Sequence, residues 1–147
     1  MKIVRTEAWP VAMPLREPYT IAYETVDTAT NVFLRIVTDG PVVGYGCAAP
    51  DAGVTGETVE GTLKAFAEIV PEPLRGSDPL RYAMLLERLK PLLPASPSVM
   101  AAVDMALLDI VGKTAGQPIW KLLGGFRSRM RTSITIGIKP ADATVAE

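Results

Sequence analysis

The sequence contains no histidine, so the side chain most often used near neutral pH as general base, nucleophile activator or transition-metal ligand is missing. Any acid–base work would fall to Lys, Asp, Glu or Tyr. Its single cysteine is Cys47, which excludes an internal disulfide and any multi-cysteine zinc site, and fits a reducing compartment. The simplest reading of Cys47 is a small buried apolar residue. A signal-peptide core is also lacking, because Lys2, Arg5 and Glu7 interrupt the first residues. So is a membrane-spanning run: the most apolar window, residues 99–111, carries Asp104 and Asp109 and is too short to cross a bilayer. Charge of one sign is missing as well, since 15 Lys+Arg face 16 Asp+Glu for a formal net charge of −1. No long-range field would gather nucleic acid or anionic lipid. The expectation is a cytoplasmic protein that binds neither nucleic acid nor membrane.

What is present is enough apolar material for one sizeable core, 48% of 147 residues. Residues 3–13 alternate loosely and place Trp9 before Pro10, which suits an edge strand. Residues 14–30 are polar and turn-rich, with Pro14 and Pro18, and read as a long loop with a short extended piece at 19–22. Residues 32–38 and 42–48 form a hairpin around Asp39-Gly40-Pro41. Gly44 and Gly46 fall on one face of its second strand, where a helix or backbone could approach closely. A second irregular stretch covers 49–56.

Helical spacing then takes over. Residues 57–70 carry Val59, Leu63, Phe66, Ala67 and Val70 on one stripe, and Pro71 and Pro73 end it. Asp78-Pro79 is a start signal for a second helix with Leu85, Leu86, Leu89, Leu92 and Leu93 buried. Ser96-Pro97 starts a third, with Met100, Val103, Leu107, Ile110 and Val111 apolar, and Gly116 before Pro118 stops it. A short helix over 118–123 ends at Gly124-Gly125. Residues 131–138 read as a strand with Ile134, Ile136 and Ile138 on one face, and Asp142 sits in the first turn of another helix. The fold class is therefore α+β: an antiparallel meander, antiparallel helices, then a fresh strand–helix start. Residues 1–125 would form one domain and 126–147 the beginning of another.

The stretches Gly44-Tyr45-Gly46-Cys47-Ala48-Ala49-Pro50, Ala101-Ala102-Val103-Asp104-Met105-Ala106-Leu107-Leu108-Asp109 and Pro118-Ile119-Trp120-Lys121-Leu122-Leu123-Gly124-Gly125 resemble the mandelate racemase and muconate lactonizing branch of the enolase superfamily. Residues 132–138 resemble the first barrel strand of its dipeptide epimerases. The resemblance implies an N-terminal capping domain on a (β/α) barrel whose strand ends carry the chemistry. That chemistry would be α-proton abstraction through an enediolate, with Mg²⁺ stabilising the charge. It implies a homo-oligomeric parent and a dipeptide or amino-acid derivative as substrate. The family's paired lysines and acidic metal ligands match no positions here, so the resemblance assigns no catalytic residue and no metal ligand to this chain, which alone should be inactive. Lys139, without a second lysine two positions on, reads as a solvated loop cation.

Two loops of such capping domains close on substrate, and residue by residue they match 18–24 and 49–55. Tyr19, Ile21, Tyr23 and Glu24 are the candidates in the first, Asp51 and Val54 in the second, and Thr135 matches a threonine of the first barrel strand that lies near the substrate. Each could equally be an ordinary packed or solvated residue. Relatives acting on acidic dipeptides often carry a basic residue in the first loop; here Glu24 stands within it, which would suit a cationic substrate side chain instead. Cys47 occupies a place where many relatives have glutamate. Asp104 and Asp109 lie five apart on one helix, hence on different faces, and favour hydrogen bonds over a metal. Arg127, Arg129 and Arg131 read as a solvated or interdomain patch. Two alternatives compete with the epimerase reading: a standalone dimerisation or binding module, and the capping domain of a muconate cycloisomerase or o-succinylbenzoate synthase-like enzyme.

Overall fold

A computed structural model describes residues 1–22, 24–133 and 136–146. Three strands come first, β1 (Ile3–Thr20), β2 (Thr25–Thr38) and β3 (Val43–Ala48), side by side in that order. The β1–β2 turn closes where the Ile21 amide donates to the Glu24 carbonyl at 2.9 Å. So short a link between paired neighbours makes them antiparallel. Residues 14–30, expected as a long loop, are instead mostly the two arms of this hairpin. Their proline content was the misleading sign. Pro10, Pro14 and Pro18 recur every fourth residue, so in an extended chain their missing N–H groups face one side. Among the described residues β1 has a strand neighbour on one side only, and along the other side no ladder needs those donors.

β2 and β3 pair antiparallel, with Leu34 opposite Gly46, Arg35 opposite Tyr45 and Ile36 opposite Gly44. The turn between them is fastened by the Thr38 hydroxyl donating to the Val42 carbonyl at 2.7 Å. Strict alternation sends Val32, Leu34, Ile36 and Thr38 inward, together with Gly44, Gly46 and Ala48.

The helices are α1 (Val59–Glu68), α2 (Pro71–Leu74), α3 (Tyr82–Leu89), α4 (Pro97–Ala115), α5 (Ile119–Leu122) and α6 (Ala141–Ala146). Their ends follow local chemistry. The Thr58 hydroxyl accepts the Gly61 amide at 3.1 Å, Asp78 accepts the Leu80 amide at 3.0 Å, and Gly116 ends α4 with φ +63°. Pro71 begins α2 rather than a loop, because proline at a first helical position forfeits only a donor that has no partner there. The expected second stripe is corrected at Leu92, which is 49% exposed, whereas Leu93 is buried. A 3₁₀ turn over Lys90–Leu92 interrupts the 3.6-residue period there. Ala67 likewise lies outside the core, and Thr62 and Ala65 take the inward positions of α1.

α4 is the central helix. Val99, Ala102, Val103, Ala106, Leu107 and Ile110 are all fully buried, and each large aliphatic among them contributes roughly 1.5–3 kcal/mol. The glycines of β3 set its distance from the sheet. A Cβ on Gly46 would overlap the Ala102 carbonyl, and one on Gly44 would overlap the Ala106 carbonyl and lie 2.7 Å from Ile110 Cγ1. The close approach expected from the glycine spacing is present.

The chain forms two compact units, residues 1–11 with 30–125, and residues 12–29 with the chain from Phe126 onward. In the second unit, residues 131–133 and 136–138 carry no strand assignment, contrary to the expected strand; Ile134 and Thr135 lie outside the described residues. A strand exists through its ladder, and among the described residues the backbone bond made here runs from the Ile138 amide to the Thr20 carbonyl at 2.7 Å. α6 begins as expected, with Asp142 in its first turn.

Candidate functional site

The 49–56 stretch is built around Asp51. Its Oδ1 accepts the Gly53 amide at 2.8 Å and the Val54 amide at 2.9 Å, and its carbonyl accepts the Thr55 amide at 2.8 Å and hydroxyl at 3.0 Å. Short polar side chains make such local turns when the backbone has no ladder to join. The apolar residue this turn presents outward is Val54, 72% exposed. Gly56 then reverses the chain with φ +73°, a conformation that favours glycine. Next comes Glu57, which the sequence offered only as the first residue of a helix. Its carboxylate is buried and accepts the Ser98 hydroxyl at 2.6 Å and the Ser98 amide at 3.1 and 3.2 Å. No local pattern joins residues 41 positions apart.

In the other unit, the hairpin tip carries Tyr19, Ile21 and Glu24. Tyr19 is partly exposed, Ile21 half-buried and Glu24 exposed; Tyr23 and Thr135 lie outside the described residues. Beyond the turn bond, the tip is held by the Thr20 and Thr25 hydroxyls, 2.9 Å apart. Tyr19 lines a cavity of about 250 Å³ between residues 17–20 and 137–139, where Gly137 approaches so closely that a Cβ would sit 2.9 Å from Tyr19 Cβ. The structure thus groups the candidates as two sets, Asp51 with Val54 and Tyr19 with Ile21 and Glu24.

The outer face of the sheet is organised by charge. Glu7 pairs with both Arg5 and Arg35, and Trp9 stacks on Phe33 with ring centroids 6.3 Å apart. The Glu7 carboxylate first, and Tyr45 second, raise the Arg35 guanidinium above its ordinary value. The favourable interaction is present below the ordinary value and lost only as pH rises through the raised one, so across the neutral range it does not change. Asp109 accepts the Tyr45 amide at 2.9 Å, and Lys113 donates to Asp109 at 2.6 Å and to the Val43 carbonyl at 2.8 Å. This is the hydrogen-bonding role expected of Asp109. Cys47 is half-buried on this face rather than in the core, because odd positions of β3 point outward. Among the described residues no three His, Cys, Asp or Glu side chains are placed to hold a metal ion, and no helix is long and apolar enough to cross a membrane.

Residues 3–124 match the family model described as mandelate racemase / muconate lactonizing enzyme, N-terminal domain. The whole chain is 42% identical to an L-Lys-D/L-Arg epimerase of Desulforapulum autotrophicum, covering 42% of that protein. It is 33% identical over its full length to an L-Ala-D/L-Glu epimerase of Bacillus subtilis, covering 40% of it. The structure is similar to a dipeptide epimerase of Methylococcus capsulatus solved with Mg and the dipeptide L-Arg-D-Lys, at TM-score 0.91 and 37% identity, covering 99% of this chain and 41% of that one. The chain spans about two fifths of the length of the relatives it matches. With a three-stranded antiparallel sheet, a glycine-faced third strand and a central buried helix all inside the matched residues, this chain belongs to the mandelate racemase / muconate lactonizing enzyme family, of which it carries the N-terminal domain.

Proposed function

We propose that this chain is the substrate-capping domain of a Mg²⁺-dependent dipeptide epimerase, and that the dipeptide it covers is cationic. The observation that carries the substrate class is the exposed carboxylate of Glu24 at the hairpin tip, together with the identity to a lysine–arginine dipeptide epimerase. A carboxylate beside an ammonium or guanidinium gains a charge-assisted hydrogen bond, and beside an acidic side chain it is repelled.

Residues 1–125 form the cap in this reading, and 126–147 the linker, the segment that matches the family's first barrel strand and the start of the first barrel helix. Removal of a proton next to a carboxylate demands electrostatic stabilisation of the anion formed, which a divalent cation supplies. Among the described residues no three His, Cys, Asp or Glu side chains are placed to hold that ion; in this reading its ligands and the proton-transferring groups are those of the barrel that the resemblance implies. The chain's own work is to cover and to select. In this reading Tyr19, Ile21 and Glu24 meet the substrate side chain from the hairpin tip, Val54 adds apolar contact and Asp51 contributes through the shape it gives the 51–55 turn, while Tyr23 and Thr135 are substrate contacts that the family resemblance implies. A reducing cytoplasm fits the lone Cys47, and the family resemblance supports a homo-oligomer.

The test uses the full-length protein with Mg²⁺ in deuterated water, comparing α-proton exchange of Lys- or Arg-containing dipeptides with that of Ala-Glu. Faster exchange of the cationic dipeptides, reduced about tenfold or more by Glu24→Gln, is expected. Preference for the acidic dipeptide would overturn the substrate class. The 147-residue chain alone should exchange neither, and turnover by it would overturn the capping reading.

A further inference from the structure

We infer that Glu57 is the positioning residue of the 51–55 turn: its buried carboxylate, fastened to Ser98 at the start of α4, sets where Val54 is held and thereby how the substrate side chain is selected. This rests on the reading that the turn meets substrate.

Glu57 is only 7% exposed as a residue, and a carboxylate taken from water is costly unless its oxygens are bonded. Those of Glu57 accept, among the described residues, from the Ser98 hydroxyl and amide. The Ser98 amide is one of the first donors of α4, which have no partner inside the helix, and the helix dipole there favours negative charge. The residue placed by sequence to serve this purpose is Ser96, yet its side chain makes no capping bond. A carboxylate from 41 residues away does so instead. Capping alone needs no such reach, since serine at the cap position ordinarily suffices. What the remote carboxylate adds is a connection.

The connection falls at a junction. Immediately before Glu57 is Gly56 with φ +73°, and immediately after it Thr58 caps α1. The other root of the loop is fastened to the same helix, because Gly46 of β3 packs on the Ala102 carbonyl. Between those roots, Asp51 locks Gly53 and Val54. The turn is therefore bonded within itself and anchored at both ends to α4. Releasing Glu57 frees one end while leaving the internal lock intact.

The experiment combines kinetics of the full-length protein with amide hydrogen exchange of the 147-residue chain. Glu57→Ala should raise KM for a Lys-Lys dipeptide about tenfold with kcat within about twofold, and alter the ratio of kcat/KM between Lys-Lys and Ala-Lys. Exchange at Gly53, Val54 and Thr55 should quicken about tenfold, with the α4 core amides unchanged. Glu57→Gln, which still accepts from Ser98, should restore most of both. Unchanged KM and selectivity in Glu57→Ala would overturn the inference, as would unchanged exchange. Should Glu57→Ala fail to fold, Ser98→Ala removes the 2.6 Å hydroxyl bond alone; a smaller KM rise supports the inference, and none overturns it. Absence of dipeptide turnover in the wild-type protein would defeat the functional reading instead, and faster loop exchange would then still show that Glu57 positions the turn.

Discussion

The turn at 51–55 and the hairpin tip at 21–24 are both short connecting segments, but they are held by different means. The first is tied by Asp51 from within and by a buried Glu57 at its end. The second is held, among the described residues, by the Ile21–Glu24 turn bond, the contact between the Thr20 and Thr25 hydroxyls and the Ile138 amide on the Thr20 carbonyl, with no buried side-chain anchor among these. A loop anchored to a buried helix keeps one shape at the cost of tolerating little change, whereas a tip that rests on its own strands can change residue without disturbing the core. Under the proposed capping function this difference would divide the labour: one segment would supply a fixed wall, and the other a variable contact. The substrate-charge preference is expected to reside in the tip.

The largest expected effect lies under the fixed segment. Gly46→Ala would drive a methyl group into the Ala102 carbonyl, and should cost at least about 3 kcal/mol in urea unfolding of the chain. A midpoint close to wild type would mean α4 can retreat. Next, Glu57→Ala leaves the buried Ser98 hydroxyl and amide unpaired and should cost about 2 kcal/mol. Asp51→Ala should lose about 1 kcal/mol and speed exchange of the Gly53 and Val54 amides, and Asp51→Asn should recover part of both. The smallest effect is expected at the tip, where Thr25→Val removes an exposed hydroxyl contact and should stay within about 0.5 kcal/mol. A larger loss there than at Asp51 would reverse the comparison.

Much of the frame was legible because it is written in local chemistry. The β2–β3 turn, the caps at Asp78 and Gly116, and the close approach at Gly44 and Gly46 each follow from residues a few positions apart. What was missed depends on distant partners or on strand position. Pro10 rightly marked an edge strand, but Pro14 and Pro18 looked like loop markers because nothing local says that the same strand runs on through them to Thr20. Leu92 was expected inside because a 3₁₀ turn does not announce itself in an apolar period. Glu57 is invisible until α4 arrives beside it. The candidate site was legible only through resemblance: Val54 and Glu24 are exposed, as contact residues should be, yet exposure is common to most loop residues and singles out neither.

The sheet's two margins carry a consequence for how copies of this chain can meet. Along β1 the prolines remove hydrogen-bond donors at intervals, and along β3 the Tyr45 amide and Val43 carbonyl are already taken by Asp109 and Lys113. Among the described residues each seam is thus interrupted by missing or occupied backbone groups, which disfavours zipping by another strand. A three-stranded sheet with an 18-residue outer strand would otherwise be a template for polymerisation. Self-association of this sheet is thereby steered to side-chain surfaces, where a single substitution can tune or abolish it, and away from open-ended growth.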